Sequence, residues 1–114
     1  MKKFLVLFKM PLAGLDAWMA KTPEERKPME DDLSIKMKAW SSTNAASIVE
    51  MGGAGKTKLI NTVGVSDTRN EIMMYAIAQG EDQEKVAQMF VGHPHLEIPE
   101  ATIEITTMNT IPTM

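Results

Sequence analysis

The sequence predicts one α+β domain in which four strands and two helices follow one another as β-α-β-β-α-β. Three observations lead there. Two short runs, 3–9 and 71–78, are apolar on both of their faces, as strands in the middle of a sheet are. Two helix starts carry capping signals, at Thr22 and at Glu81-Asp82. The closing segment Ala101 to Met108 alternates Ile103 and Ile105 with Thr102, Glu104 and Thr106, the period of a strand with one face in water.

Taken in order, Phe4, Val6 and Phe8 form one face of the first strand and Leu5 and Leu7 the other, with Lys3 and Lys9 as its charged ends. Pro11 and Gly14 end it and open a loop that holds Asp16 and Trp18. Thr22-Pro23-Glu24-Glu25 starts the first helix: Thr22 caps, Pro23 takes the first helical position, and Glu25 completes a capping box. Pro28 lacks an amide hydrogen and crowds the preceding turn, so a kink or restart is expected near Lys27. Met29, Leu33, Met37 and Trp40 continue at helical spacing until Ser41 to Asn44 ends the helix.

Ala46 to Met51 reads as a second, less apolar strand. A polar excursion from Gly52 to Asn70, rich in Gly, Thr and Asn, has room for a short strand at Lys58 to Val63. A connection this long inside a small domain is often functional or interfacial. Glu71 to Ala78 is the third strand of the main sheet. Glu81-Asp82 then caps a short helix carrying Val86, Met89 and Phe90, which Gly92 ends.

This order is the split βαβ arrangement of ferredoxin-like folds, an antiparallel four-stranded sheet of order 4-1-3-2 with two helices on one face. The first and third strands are then central, which suits their two apolar faces. Two short helices cover only one side of such a sheet. The other side calls for a cover, and a second copy packed sheet to sheet is the simplest one.

A chain of 114 residues fits one domain, 1–114. Its 44% hydrophobic and 24% charged residues are those of a globular protein rather than a disordered one. With a net charge of -3 there is no basic footprint for nucleic acid. Cysteine is absent, which excludes disulfides, thiolate catalysis and cysteine-ligated metal and suits the cytoplasm. The run Phe4 to Phe8 is shorter than a secretory h-region of roughly 7–15 residues. No stretch approaches the roughly 20 apolar residues of a membrane span.

The most chemically pointed segment is Gly92-His93-Pro94-His95-Leu96, which holds both histidines of the chain. Beside a carboxylate, an imidazole suits general acid–base work. The alternative is that Gly92 and Pro94 shape a helix-to-strand connection while the histidines cap the helix or bond to backbone. A metal site at His-x-His would need oxygen ligands such as Asp67 or Glu97, and no metal or other cofactor is expected. Gly52-Gly53-Ala54-Gly55-Lys56-Thr57 only superficially resembles a phosphate loop. The position five residues before Gly55 is Glu50, and a strand-like segment follows where a helix is required. Asp67 and Arg69 precede a central strand, where Arg69 could anchor a substrate carboxylate or the pair could bridge structurally. Trp18 is either a cleft wall or packing, and Trp40 reads as core. Of the eleven methionines, Met29, Met37, Met73, Met74 and Met89 fall at core positions as adaptable filler.

Four segments are similar to the YCII-related family of the dimeric α+β barrel superfamily. They are Lys3 to Lys9, Thr22-Pro23-Glu24-Glu25-Arg26, Asp67-Thr68-Arg69-Asn70-Glu71-Ile72-Met73 and Gly92-His93-Pro94-His95-Leu96. The resemblance implies a homodimer whose sheets face each other, with a cleft between sheet and helices in each subunit. In a branch of that family it implies a histidine–aspartate pair for proton transfer or elimination on small aromatic or ring substrates. Here His93 or His95 would supply the histidine and Asp67 or Asp16 the carboxylate, with Arg69, Trp18 and Asp16 as candidate substrate contacts. Two functions follow as expectations: a small cofactor-independent enzyme, or a non-catalytic homodimer that binds a small ligand or serves as an accessory. Geometry separates them, because catalysis needs a histidine that meets a carboxylate and opens onto a cleft.

Overall fold

The computed structural model describes residues 1–112. Its elements are β1 (Lys2–Lys9), α1 (Leu12–Met19), α2 (Pro23–Thr43), β2 (Ile48–Gly53), β3 (Thr57–Asn61), β4 (Gly64–Thr68), β5 (Ile72–Gly80), α3 (Gln83–Met89) and β6 (Thr102–Thr107). Single 3-10 turns precede β2 at Ala45–Ser47 and β6 at Pro94–Glu97. β2, β5, β1 and β6 form, in that spatial order, one four-stranded antiparallel sheet. β3 and β4 pair only with each other, as a separate hairpin.

The strand period sorts side chains between the two faces of the sheet. Phe4, Val6 and Phe8 of β1 and Ala76 and Ala78 of β5 are buried together under Val86 and Phe90 from the α3 region. Trp40, Ile48, Met51, Met74, Met89, Ile103 and Ile105 rim this core. On the opposite face the same registers align Leu5 with Ile77 and Leu7 with Tyr75, and these four are only half-buried. Tyr75 donates a hydrogen bond to Glu50 Oε2 at 2.7 Å on that face. Its ring passes over Gly52, where a Cβ would come within 3.0 Å of it. The whole chain is a slab of 49 × 45 × 19 Å, thin enough for one sheet and one helical layer.

The capping signals are realised. Thr22 accepts from the Glu25 amide while Glu25 accepts from the Thr22 amide, 3.2 and 3.0 Å, and this holds the Glu25 carboxyl below its usual pKa. Asp82 accepts from the Lys85 amide at 2.8 Å. Asn44 closes α2 through the Trp40 carbonyl, by its backbone amide and by its side chain.

Four sequence expectations are corrected. α2 runs through Pro28 without a restart, because the bond that proline forfeits lies near the start of a long helix. The segment holding Asp16 and Trp18 is helix α1, not a loop. Pro11 there stands before the first turn as the cap residue, its carbonyl accepting from the Leu15 amide, so the proline opens the helix instead of excluding one. Met29 is 45% exposed, whereas Met10 is buried. The polar excursion contains two strands, β3 and β4, with a turn in which Asn61 Oδ1 accepts from the amides of Val63 and Gly64.

Gly80, at the end of β5, gives the close packing of α3 a direct test. A Cβ there would lie 2.5 Å from Cγ2 of the buried Val86, so that side chain or the backbone must shift. Gly80→Ala is expected to destabilise the fold by about 1–3 kcal/mol in urea unfolding. Adding Val86→Ala makes room for the new methyl, so the double variant should lose less than the sum of the two single losses.

Candidate functional site

The histidine turn is built by the end of α3. After Phe90 the chain reverses through Gly92, whose φ of +78° suits glycine and strains most other residues. The His93 amide then reaches the Phe90 carbonyl at 3.1 Å, and Pro94 begins the 3-10 turn. Lys36 of α2 ties that turn down by bonding Glu97 at 2.8 Å while also pairing with Asp32 at 3.0 Å. These two partners, Glu97 foremost, raise the Lys36 pKa.

Both histidines point inward, with exposures of 1% for His93 and 4% for His95. His93 packs among Trp40, Phe8 and Phe90, at centroid distances of 4.5, 5.1 and 5.9 Å. Its Nδ1 accepts from the His95 amide at 3.0 Å, which places the proton of the neutral ring on Nε2. That Nε2 is buried and has no hydrogen-bond partner. Burial pushes the His93 pKa down to about 4, and neighbouring His95 pushes the same way. His95 Nε2 lies 2.9 Å from the Lys9 carbonyl. A carbonyl only accepts, so His95 donates from Nε2 and fastens the turn to the end of β1.

Among the described residues neither imidazole hydrogen-bonds a carboxylate. Asp67, on β4, pairs with Lys58, its cross-strand neighbour on β3. Arg69, just beyond β4, pairs with Asp16 of α1 at 2.7 Å and so links the hairpin base to that helix. Trp18 lies further along α1 with Lys21 Nζ 5.5 Å from its ring centroid. Among the described residues no group of three or more His, Asp or Glu side chains is placed to hold a metal ion. No described helix is long and apolar enough to cross a membrane.

Two cavities flank α1. The larger, about 580 Å³, has Leu12, Leu15, Ile72 and Met73 as apolar walls and Lys56, Lys58, Asp67, Arg69 and Asn70 as polar ones. The smaller, about 390 Å³, is an apolar recess walled by Met10, Trp18, Met29, Leu33, Ile98 and Pro99. Both volumes fall within the range of small-molecule sites. The structure thus brings Asp67 and Arg69 to the larger cavity, with Asp16 bonded to Arg69 but outside its lining, Trp18 to the smaller, and both histidines into the core between sheet and helices. Lys56 and Lys58 are the site residues that sequence reasoning passed over. Both were in view within the polar excursion, but only the fold of the hairpin base turns them toward one space. The segment at Thr57 leads into strand β3, as its dismissal as a phosphate loop requires.

No family model matches the chain, and no curated protein matches it. Among solved structures it is similar to the 5-chloro-2-hydroxyhydroquinone dehydrochlorinase TftG of Burkholderia phenoliruptrix AC1100, in complex with 2,5-dihydroxybenzoquinone. The match covers 90% of each chain at a TM-score of 0.51 and 14% identity. At that identity the likeness is one of fold.

The buried His93 makes stability depend on pH. Its imidazole titrates near 6.5 when unfolded and near 4 when folded. The neutral ring therefore contributes fully above pH 6.5, and its contribution is lost as pH falls toward 4, by about 3 kcal/mol in all. Urea titrations at stepped pH should show that decline. His93→Asn, which keeps an acceptor for the His95 amide but cannot be protonated, should be less stable at neutral pH and should lose most of the slope between 6.5 and 4.

Proposed function

We propose that the chain is a YCII-related, dimeric α+β barrel protein of the cytoplasm that binds a small organic anion in the cavity between α1 and the base of the β3–β4 hairpin. One observation carries this reading. Three cations, Lys56, Lys58 and Arg69, line a cavity in a chain whose net charge is -3. Two carboxylates offset them, Asp67 on Lys58 and Asp16 on Arg69. Lys56 has no ion-pair partner among the described residues. The apolar walls suit the body of such a ligand, and Arg69 is suited to bidentate capture of its carboxylate once released from Asp16.

The homodimer belongs to the same reading. Leu5, Leu7, Tyr75 and Ile77 lie half-buried on the sheet face without helices, and a second sheet would exclude water from them. The catalytic reading, cofactor-independent proton transfer or elimination on a small ring, draws support from the fold shared with a dehydrochlorinase. It requires His93 or His95 to turn out of the core and meet Asp67 or Asp16. In the single chain His93 Nδ1 and His95 Nε2 serve the backbone and His93 Nε2 is buried without a partner, which favours the binding role.

Titration calorimetry with benzoate, and with benzamide as the uncharged control, tests the ligand class. Benzoate should bind and benzamide should not, and Arg69→Ala and Lys56→Ala should each weaken benzoate by about tenfold, the loss of one charge-assisted contact. Equal binding of acid and amide, or no effect of either substitution, would overturn the anion site. Light scattering at micromolar concentration should report a dimer, and a stable monomer would sink the sheet-to-sheet packing.

A further inference from the structure

The β3–β4 hairpin is little supported by the rest of the described chain. Only Thr57 and Thr68, at its base, are half-buried; its other strand residues are exposed. An isolated two-stranded hairpin is at best marginally stable in water. This one nevertheless carries apolar side chains outward. Ile60 and Val65 are cross-strand partners on one face, 75% and 69% exposed, and Val63 at the tip is 94% exposed. The radius of gyration is 16.2 Å, against about 13 Å for a compact chain of this length. The excess fits a projecting arm and a thin slab.

We propose that the hairpin is an arm held by a second copy of this chain, and that this hold sets the walls of the anion cavity, so that dimer formation and ligand binding reinforce each other. The inference rests on the anion-binding homodimer reading and deepens it. A second copy is the fitting occupant on three grounds. The chain has another uncovered apolar surface, the sheet face of Leu5, Leu7, Tyr75 and Ile77, and a two-fold arrangement covers both surfaces in both subunits at once. The arm is electrically neutral, since Lys58 and Asp67 are its only charged residues from 57 to 68 and pair with each other. A neutral arm approaches an acidic copy of itself without repulsion, and it offers nothing to a strongly charged partner such as nucleic acid. Finally, the arm's base is the cavity's wall: Thr57, Lys58, Asp67 and Thr68 belong to both. Whatever fixes the arm therefore fixes the positions of the cations, and by reciprocity a ligand that bridges them to α1 strengthens the hold on the arm.

The arm can be stripped of its apolar pair without dismantling it. In the double variant Ile60→Lys, Val65→Glu the new side chains attract each other across the strands, and both sites are too exposed to disturb the core. Sedimentation measurements should find its dimer about tenfold weaker than wild type, with benzoate affinity reduced in parallel. Hydrogen exchange of the 57–68 amides should be protected in the wild-type dimer and lose protection on dilution or in the double variant, a readout that needs no ligand. Leu7→Glu, on the bare sheet face, separates the two ideas. If wild type is a dimer that Leu7→Glu dissociates, while the double variant keeps wild-type dimer strength and its arm exchanges equally fast at all concentrations, the arm proposal is overturned and the sheet-face dimer stands. If wild type is monomeric throughout, both fall.

Discussion

The packing of Phe8 is the contact on which the rest of the structure depends. It lies on the central strand β1 with no surface exposed. Its ring meets Phe90 at 6.0 Å, His93 at 5.1 Å and His95 at 5.5 Å between centroids. One side chain thus joins the sheet, the end of α3 and the turn that follows. His95 completes the joint by bonding the carbonyl of the very next residue, Lys9. Because this joint fixes where β1 ends, it fixes where Pro11 turns the chain into α1, and hence where Asp16 can meet Arg69. The histidines influence the cavity through this chain of positions even though they do not line it.

The sheet supports unequal faces, and the chain's chemistry follows that inequality. One face is closed by α2, α3 and the histidine turn, and packs aromatic rings and alanines closely. The other keeps a half-buried row of Leu5, Leu7, Tyr75 and Ile77. Tyr75 carries a hydroxyl into that row, and its bond to Glu50 satisfies the hydroxyl while raising its pKa. The phenol therefore stays neutral under ordinary conditions, which keeps the row compatible with an apolar cover.

Much of the fold was legible because its signals are local. Alternation, two-faced apolar runs and capping residues all act within one element, and β1, β5, β6 and the starts of α2 and α3 could be read from them. α1 was not legible, since Pro11 and Gly14 carry the same letters whether a proline ends a strand or opens a helix. Leu12 and Leu15 share a cavity wall with Ile72 and Met73, residues no short window brings beside them. The site was legible in composition but not in pairing. Asp16 and Arg69 stand far apart in sequence and meet only because α1 and the hairpin base converge. Asp67 looked like a partner for histidine, but strand register gives it to Lys58. The burial of both histidines reflects the aromatic cluster of Phe8, Trp40 and Phe90, which no short window contains.

The outermost strands of the sheet carry a different consequence. Edge strands offer unpaired amides and carbonyls that can template growth into extended assemblies. Here β6 sends Thr102, Glu104 and Thr106 outward, with Glu104 engaged by Lys9 at 3.5 Å. β2, at the opposite margin, is irregular between Ile48 and Glu50 and ends in Gly52-Gly53. A charged, threonine-rich margin on one side and a broken, glycine-ended one on the other discourage runaway strand addition. Both rims of the sheet are thereby poor templates for strand addition, which leaves its faces as the surfaces open to a partner.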